Sequence, residues 1–210
     1  MSTRKKPARR YHHGDLRRTL IDAALAIVER AGPGALSLRE LARKAGVSHA
    51  APYRHFESRE ALLVELASEG FRGLAAESQA LAGDIRDPEA RLRALGVAYV
   101  RYAVAHPGHF RVMFSSEIHD GGEQPELAAA GAPTLEALVD AIAAAQAAGV
   151  VKGDDARAQA VPAWALMHGL AMLVVDRQLG PLMEGTPAVD GLAERLVDVF
   201  LHGVGVRPGG

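Results

Sequence analysis

Residues 37–56 read SLRELARKAGVSHAAPYRHF, and the organisation of the whole chain follows from them. Ser37 stands just before Leu38, with Glu40 three residues on. This is a capping box: the Ser37 oxygen is expected to accept an early amide of a new helix, and Glu40 to reach back to the cap. Leu38, Leu41, Ala42 and Ala45 recur at helical spacing on one face. Gly46 follows, where a left-handed turn favours glycine, and Val47 can pack inward. Ser48 is then expected to cap a second short helix, His49 to about His55. Two short helices around a tight glycine turn form the helix-turn-helix pattern, whose second helix enters the major groove N-terminus first. Pro52 removes one amide and fixes one backbone angle, so the first turn of that helix is expected to be tight or irregular.

The residue types suit that geometry. Ala50 and Ala51 are small enough for close approach, and their methyls can touch a thymine methyl. His49 leads the helix and can bond a base edge or a phosphate. Tyr53 and Arg54 both donate to phosphate oxygens. Arg59, at the start of the next helix, is expected to reach a phosphate, beside that helix's own free amides. Ser37, Arg39, Ser48 and His55 complete the expected DNA-facing set, while Phe56 is expected in the core. The same helix pair also suits an α-helical protein with no DNA role, so the surroundings matter.

Charge is divided along the chain. Residues 1–60 hold 13 Lys and Arg against six Asp and Glu, and residues 61–210 hold 11 against 19. A basic N-terminal quarter on an acidic body is the pattern of a nucleic-acid-binding module joined to something else. The first ten residues, MSTRKKPARR, carry five basic groups and no acid; residues 1–13 are expected to form a disordered arm, lying along phosphates, entering a minor groove, or merely solubilising.

The remainder reads as all-α. Alanine, the best helix former, occurs 40 times among 210 residues, and sustained two-residue alternation is absent. The first helix spans about Asp15–Ala31, with Leu16, Leu20, Ala23, Ala24, Ile27 and Val28 at helical spacing. Further helices are predicted near Arg59–Ala82, Pro88–Ala105, Glu126–Ala148, Asp155–Leu179 and Pro187–Val204, with a shorter one after Pro107. Asp87-Pro88 and Thr186-Pro187 each set a capping side chain before proline. Ser116–Pro125, with Gly121-Gly122, reads as the least ordered stretch.

Residues 16–66 resemble the N-terminal domain of TetR-family transcriptional regulators. The resemblance is carried by Ile21-xx-Ala24, Gly34-xxx-Leu38-xx-Leu41-Ala42-xx-Ala45-Gly46-Val47-Ser48, Tyr53-xx-Phe56 and Arg59-Glu60-x-Leu62. It departs at Pro52, where the family more often has leucine. Tyr11–Asp15 resembles one subgroup, and Trp164-xxx-His168-Gly169 is similar to a C-terminal domain of many members. The resemblance implies a DNA-binding head over residues 14–58 and a helical effector-binding and dimerisation domain over 59–206. It also implies a homodimer, mostly repressing, released from double-stranded DNA by a small molecule. The signal would travel through Arg59–Ala82, and the last two long helices would form the dimer.

On their own chemistry, Tyr99, Tyr102, Phe110, Met113, Phe114, Trp164, His168 and Met172 are the expected effector pocket, for an apolar or aromatic ligand oriented by Tyr102, His168 or Arg101. Ordinary core is the competing reading for each. The segment 158–175 lacks charge but is borderline in length for a membrane span and carries Pro162, so a fully buried helix is expected and no membrane partner. The absence of cysteine excludes disulfides, thiolate metal sites and a cysteine nucleophile. With no P-loop and no third ligand beside His12-His13-x-Asp15 or His106-xx-His109, neither an enzyme, a metal site nor a cofactor is expected. No signal peptide is recognisable, so a cytoplasmic protein is expected. The alternative function is a small-molecule-binding helical protein or enzyme with no DNA role.

Overall fold

Caps and glycines punctuate the chain much as local chemistry dictates. The computed structural model describes residues 13–119, 124–180 and 189–203. Among them run α1 (His13–Ala31), α2 (Leu38–Ala45), α3 (Arg59–Ala82), α4 (Pro88–Ala105), α5 (Pro107–Met113), α6 (Ser116–His119), α7 (Pro125–Ala147), α8 (Ala156–Val175) and α9 (Val189–His202), with no strand. The basic arm, Gly121-Gly122 and the Thr186-Pro187 cap lie outside the described residues, as do the His12, His13 and Asp15 side chains.

Helix starts follow their caps. Ser58 Oγ accepts from the Ala61 amide at 3.1 Å, Asp87 Oδ1 from Ala90 at 2.7 Å, and Asp155 Oδ1 from Ala158 at 2.9 Å. Each such bond satisfies an amide without an intrahelical partner and is worth about 1 kcal/mol. One helix ends early. α8 was expected to reach Leu179, but Arg177 adopts a left-handed φ of 55°. The Asp176, Arg177 and Gln178 amides then close onto the Met172, Val174 and Leu173 carbonyls, and the helix stops at Val175.

The small N-terminal unit is built on α1 and α2. Leu20, Ala24, Ile27 and Val28 meet Leu36, Leu38, Leu41 and Phe56 in one buried cluster, continued by Leu62, Leu63 and Leu66 of α3. Burying each large apolar side chain contributes about 1.5–3 kcal/mol. In the larger unit α3 packs against α4, α5 and α7, while α4 also carries α8 and α9. α9 is tied to α4 at both ends by Arg101–Asp190 at 2.6 Å and Arg93–Asp198 at 2.5 Å.

The expectation of a fully buried helix over 158–175 is corrected. Ala160, Ala163, Met167, Leu170, Ala171 and Val175 of α8 are buried, but Val161, Trp164 and Leu173 are 62%, 41% and 40% exposed. No charged residue stands between Arg157 and Asp176. One face is packed in the core and the other is bare. By length and composition α7 and α8 could each cross a membrane, yet both are packed along one face in this fold.

Candidate nucleic-acid interface and effector cavity

The cap of α2 forms as its composition demands. Ser37 Oγ accepts from the Glu40 amide at 3.1 Å. Glu40 does not complete the expected box; its carboxylate turns to Arg43 and takes two bonds, at 2.8 and 2.6 Å. Arg43 thereby holds the Glu40 carboxyl below its usual pKa. Gly46 sits at φ 68°, ψ 31°, and the Val47 amide closes onto the Ala42 carbonyl at 3.0 Å. This left-handed turn fixes the angle at which the next segment leaves.

That segment departs from the expected α-helix. Ser48 is not a side-chain cap: its backbone carbonyl accepts the Ala51 amide at 2.9 Å, and a single 3₁₀ turn follows over Pro52–Arg54. The reason is Pro52. It has no amide to give the Ser48 carbonyl, so Ala51 takes that bond one residue early. Pro52 itself is buried, and its carbonyl accepts from both His55 and Phe56, at 2.9 and 3.0 Å. The proline acts as an inward wedge. Ser48, His49, Ala50, Tyr53 and Arg54 are all exposed, with Tyr53 at 61%; Ala51 and His55 are half-buried. Ser37 and Arg39 are exposed on the adjoining turn of α2. Phe56 is buried under the Arg17 guanidinium, 5.5 Å above its ring.

Arg59 is placed otherwise than expected. Its Nε donates to the Leu36 carbonyl at 2.6 Å, and a terminal nitrogen donates to the Pro33 carbonyl at 2.9 Å. It also pairs with Glu117 of α6. Those partners consume the cation inside the protein, where it clamps the α1–α2 connection against α3. Arg17–Glu65 at 2.5 Å and Arg18–Glu69 at 2.7 Å add two further ties from α1 to α3.

Between α3, α4, α7, α8 and α9 lies a cavity of about 330 Å³. Three of the eight expected pocket residues line it: Tyr99, Phe114 and Trp164. Trp164 Nε1 donates to the Tyr99 hydroxyl at 3.0 Å, and that hydroxyl lies 2.9 Å from His168 Nδ1. Burial pushes the Tyr99 phenol above its usual pKa and the His168 imidazole below. The hydroxyl therefore stays protonated, and with the imidazole proton on Nε2 it donates to Nδ1.

The other five do not line it. His168 is held in an aromatic cluster, its ring 4.5 Å from Phe114 and 5.6 Å from Phe110. Phe110 and Met113 are wholly buried, and Met172 packs against the core. Tyr102 and Met113, both expected in the pocket, are instead seated against two glycines on α3. A Cβ on Gly73 would lie 2.6 Å from the Tyr102 hydroxyl, and one on Gly70 would lie 2.7 Å from Met113 Sδ. These two side chains are seated in grooves that only glycine leaves open. Arg101 is spent on Asp190. The wall instead takes Phe71, Leu74 and Ser78 from α3 and Thr134, Leu135 and Leu138 from α7. The usable sequence signal was Thr134, a lone hydroxyl in an apolar helix with Gly131 one turn before it.

α5 touches both regions. Phe110 packs edge-on to Tyr99 at 5.7 Å. At Gly108 the chain comes so near α1 that a Cβ would lie 3.1 Å from the Leu25 carbonyl. Arg111 donates to the Glu29 carbonyl at 2.6 Å and the Val175 carbonyl at 3.0 Å, and pairs with Asp176 at 3.0 Å. One side chain thus ties the end of α1 to the end of α8. Among the described residues, no three candidate metal ligands cluster.

An exposed helix-turn-helix tip, carried on a larger helical unit with a cavity whose lining is uncharged among the described residues, is the architecture of a helical DNA-binding regulator. Residues 20–66 match the family described as bacterial regulatory proteins, tetR family, and residues 92–200 match the tetracyclin repressor-like C-terminal domain. The chain belongs to the TetR family of transcriptional regulators, a DNA-binding family. It is 34% identical over 73 residues to an uncharacterised HTH-type transcriptional regulator of Mycobacterium tuberculosis, a match spanning 35% of this chain and 36% of that relative, so about a third of each. Its fold is similar to a protein of unknown function from Rhodococcus sp. RHA1, with 38% identity, TM-score 0.76, and coverage of 93% and 98% of the two chains. It also resembles a tetR-family regulatory protein from Rhodococcus RHA1, with 24% identity, TM-score 0.74 and coverage of 91% and 98%. At the level of fold alone it resembles AibR in complex with isovaleryl coenzyme A and operator DNA, with 17% identity, TM-score 0.68 and coverage of 89% and 98%.

Proposed function

We propose that this protein is a ligand-responsive repressor that binds a palindromic operator as a homodimer and leaves it when a small apolar or aromatic molecule fills the cavity. The carrying observation is that α5 packs on the cavity's aromatic cluster and on α1 of the DNA-binding unit at once. A ligand that moved Phe110 or Phe114 would move the support of α1. It can shift that equilibrium only by its differential affinity for the two arrangements.

The division of labour is residues 14–58 for DNA and 59–206 for effector and dimer, with the basic arm 1–13 following phosphates. The His49–Arg54 tips of two subunits would enter successive major grooves about 34–36 Å apart. The bare apolar face of α8, with α9 beside it, is the surface that a second copy would cover. AibR, whose fold this chain resembles, is seen in complex with isovaleryl coenzyme A and operator DNA.

Capture of genomic fragments by the purified chain tests this reading. A small set of fragments sharing an inverted repeat should be retained in dilute buffer, and retention should fall steeply with salt. Uniform recovery of all fragments would overturn it.

A further inference from the structure

We propose that Arg111 is the positioning residue that fixes the DNA-binding unit against the dimer helix, and thereby sets the separation of the two DNA-binding tips in the homodimer. The inference rests on the reading of α8 as a helix through which two copies meet. Arg111 stands on α5, and its guanidinium is divided between two other helices. Nη1 donates to the Glu29 carbonyl, in the last turn of α1, at 2.6 Å. Nη2 donates to the Val175 carbonyl and to Asp176 Oδ1, both at 3.0 Å, and Nε adds a longer bond of 3.3 Å to the same carboxylate oxygen. Both carbonyls lie at helix ends, where the following turn supplies no amide and a cation is favoured. Arginine can serve the two ends at once because its N–H groups form one rigid, planar fork.

The end of α8 is shaped for this contact. Arg177 takes a left-handed φ of 55°, the only positive φ at a non-glycine among the described residues, and that conformation is unfavourable for a residue with a β-carbon. Its effect is to turn the Gln178 amide back to the Leu173 carbonyl. The Val175 carbonyl, which the Leu179 amide would take in a continued α-helix, is left for Arg111. At the other side of the fork, α1 carries the tip with it, since Leu20 and Ile27 are buried in one cluster with Leu41 and Phe56. The Arg17–Glu65 and Arg18–Glu69 pairs hold α1 to α3, a helix of the cavity wall. Arg111 instead reaches α8, so it refers the position of the tip to the dimer axis directly.

The chain contains no cysteine, so Lys44→Cys places one nitroxide label on each DNA-binding unit; Lys44 is exposed on α2 and outside the expected DNA-facing set. Pulsed electron–electron double resonance on the full-length protein, without DNA, then reads the distance between the two units. The Lys44→Cys protein should give one narrow distribution. Adding Arg111→Met should broaden it and shift its centre by several ångströms. Asp176→Asn leaves both carbonyl bonds in place and should broaden it less; it also serves as the test if Arg111→Met loses its helical circular dichroism. A residue that only stabilised the fold would lower the Tm and leave the distribution narrow, and that result in the folded variants would overturn the inference. A distribution already broad with Arg111 intact would overturn it too, while leaving the dimer reading in place. No dipolar modulation in the Lys44→Cys protein would show a monomer, and would overturn the dimer reading and this inference with it.

Discussion

Tyr53 is 61% exposed while its neighbour Pro52 is buried, and that contrast sets the chemistry of the tip. The proline anchors the turn from inside, so the tyrosine hydroxyl and the Arg54 guanidinium are presented outward together. Both suit phosphate, whereas His49 and Ala50 lead the segment and suit base edges. Tyr53→Phe and Arg54→Ala should each weaken binding about fivefold on operator and random duplex alike, and Arg54→Ala should lower the salt slope by about one per half-site. His49→Ala or Ala50→Ser should instead change the ranking of sequences. Anisotropy titrations on both duplexes at two salt concentrations check this; equal losses on both for all four changes would refute the division. His109 and His168 carry a second residue-scale consequence. Burial holds both below the ordinary histidine pKa. As pH falls, the unfolded chain therefore takes up protons first, near about 6.5. Their contribution to stability is intact above that value and is lost as pH falls below it. Thermal melts should show a Tm that declines from pH 7 to pH 5.5, and His168→Asn, which keeps an acceptor for Tyr99, should flatten part of the decline.

Helices in this protein meet closely where glycine lets them. α3 presents Gly70 and Gly73 one turn apart, and the two grooves receive Met113 and Tyr102. Gly73→Ala would drive a methyl against the Tyr102 hydroxyl at 2.6 Å. The expected cost is about 1–3 kcal/mol, or a Tm lower by roughly 2–4 °C per kcal/mol at this chain length. An unchanged melting curve would show that Tyr102 yields without penalty. α5 is the other element that matters beyond its length. Gly108 brings it against α1, Phe110 against Tyr99, and Arg111 against the carbonyl ends of both α1 and α8. Cations are favoured at helix C-termini, so one arginine stabilises two ends and links the regions that bear them.

At the scale of the molecule, the question is what covers α8. A single 22.2 kDa chain leaves Val161, Trp164 and Leu173 in water on a face without charge, the face that the proposed second copy would cover. A two-fold dimer through α8 and α9 would cover it and set two DNA-binding tips in register. Val161→Glu combined with Leu173→Glu should convert the protein from dimer to monomer in size-exclusion light scattering, with helical circular dichroism retained. Operator affinity should fall much more than affinity for random duplex, because the second half-site is lost. A double variant that still elutes as a dimer would show that the copies meet elsewhere.

Much of this is written in short-range patterns. Helix starts at Ser37, Asp87 and Asp155, the turn at Gly46 and the extents of α3 and α4 follow from side chains within a few residues of each bond, so reading the chain locally is sufficient. The exposed tip is legible for the same reason, including its irregular turn, since Pro52 acts on its own segment. The placing of Arg59, of Tyr102 and of the cavity wall is not local. Arg59 looks like a phosphate ligand until Glu117, 58 positions away, is brought beside it. Tyr102 looks like a pocket residue until Gly73 offers it a groove. Which of many apolar side chains border empty space depends on how five helices cross, and periodicity records only that a face is buried, never what it is buried against.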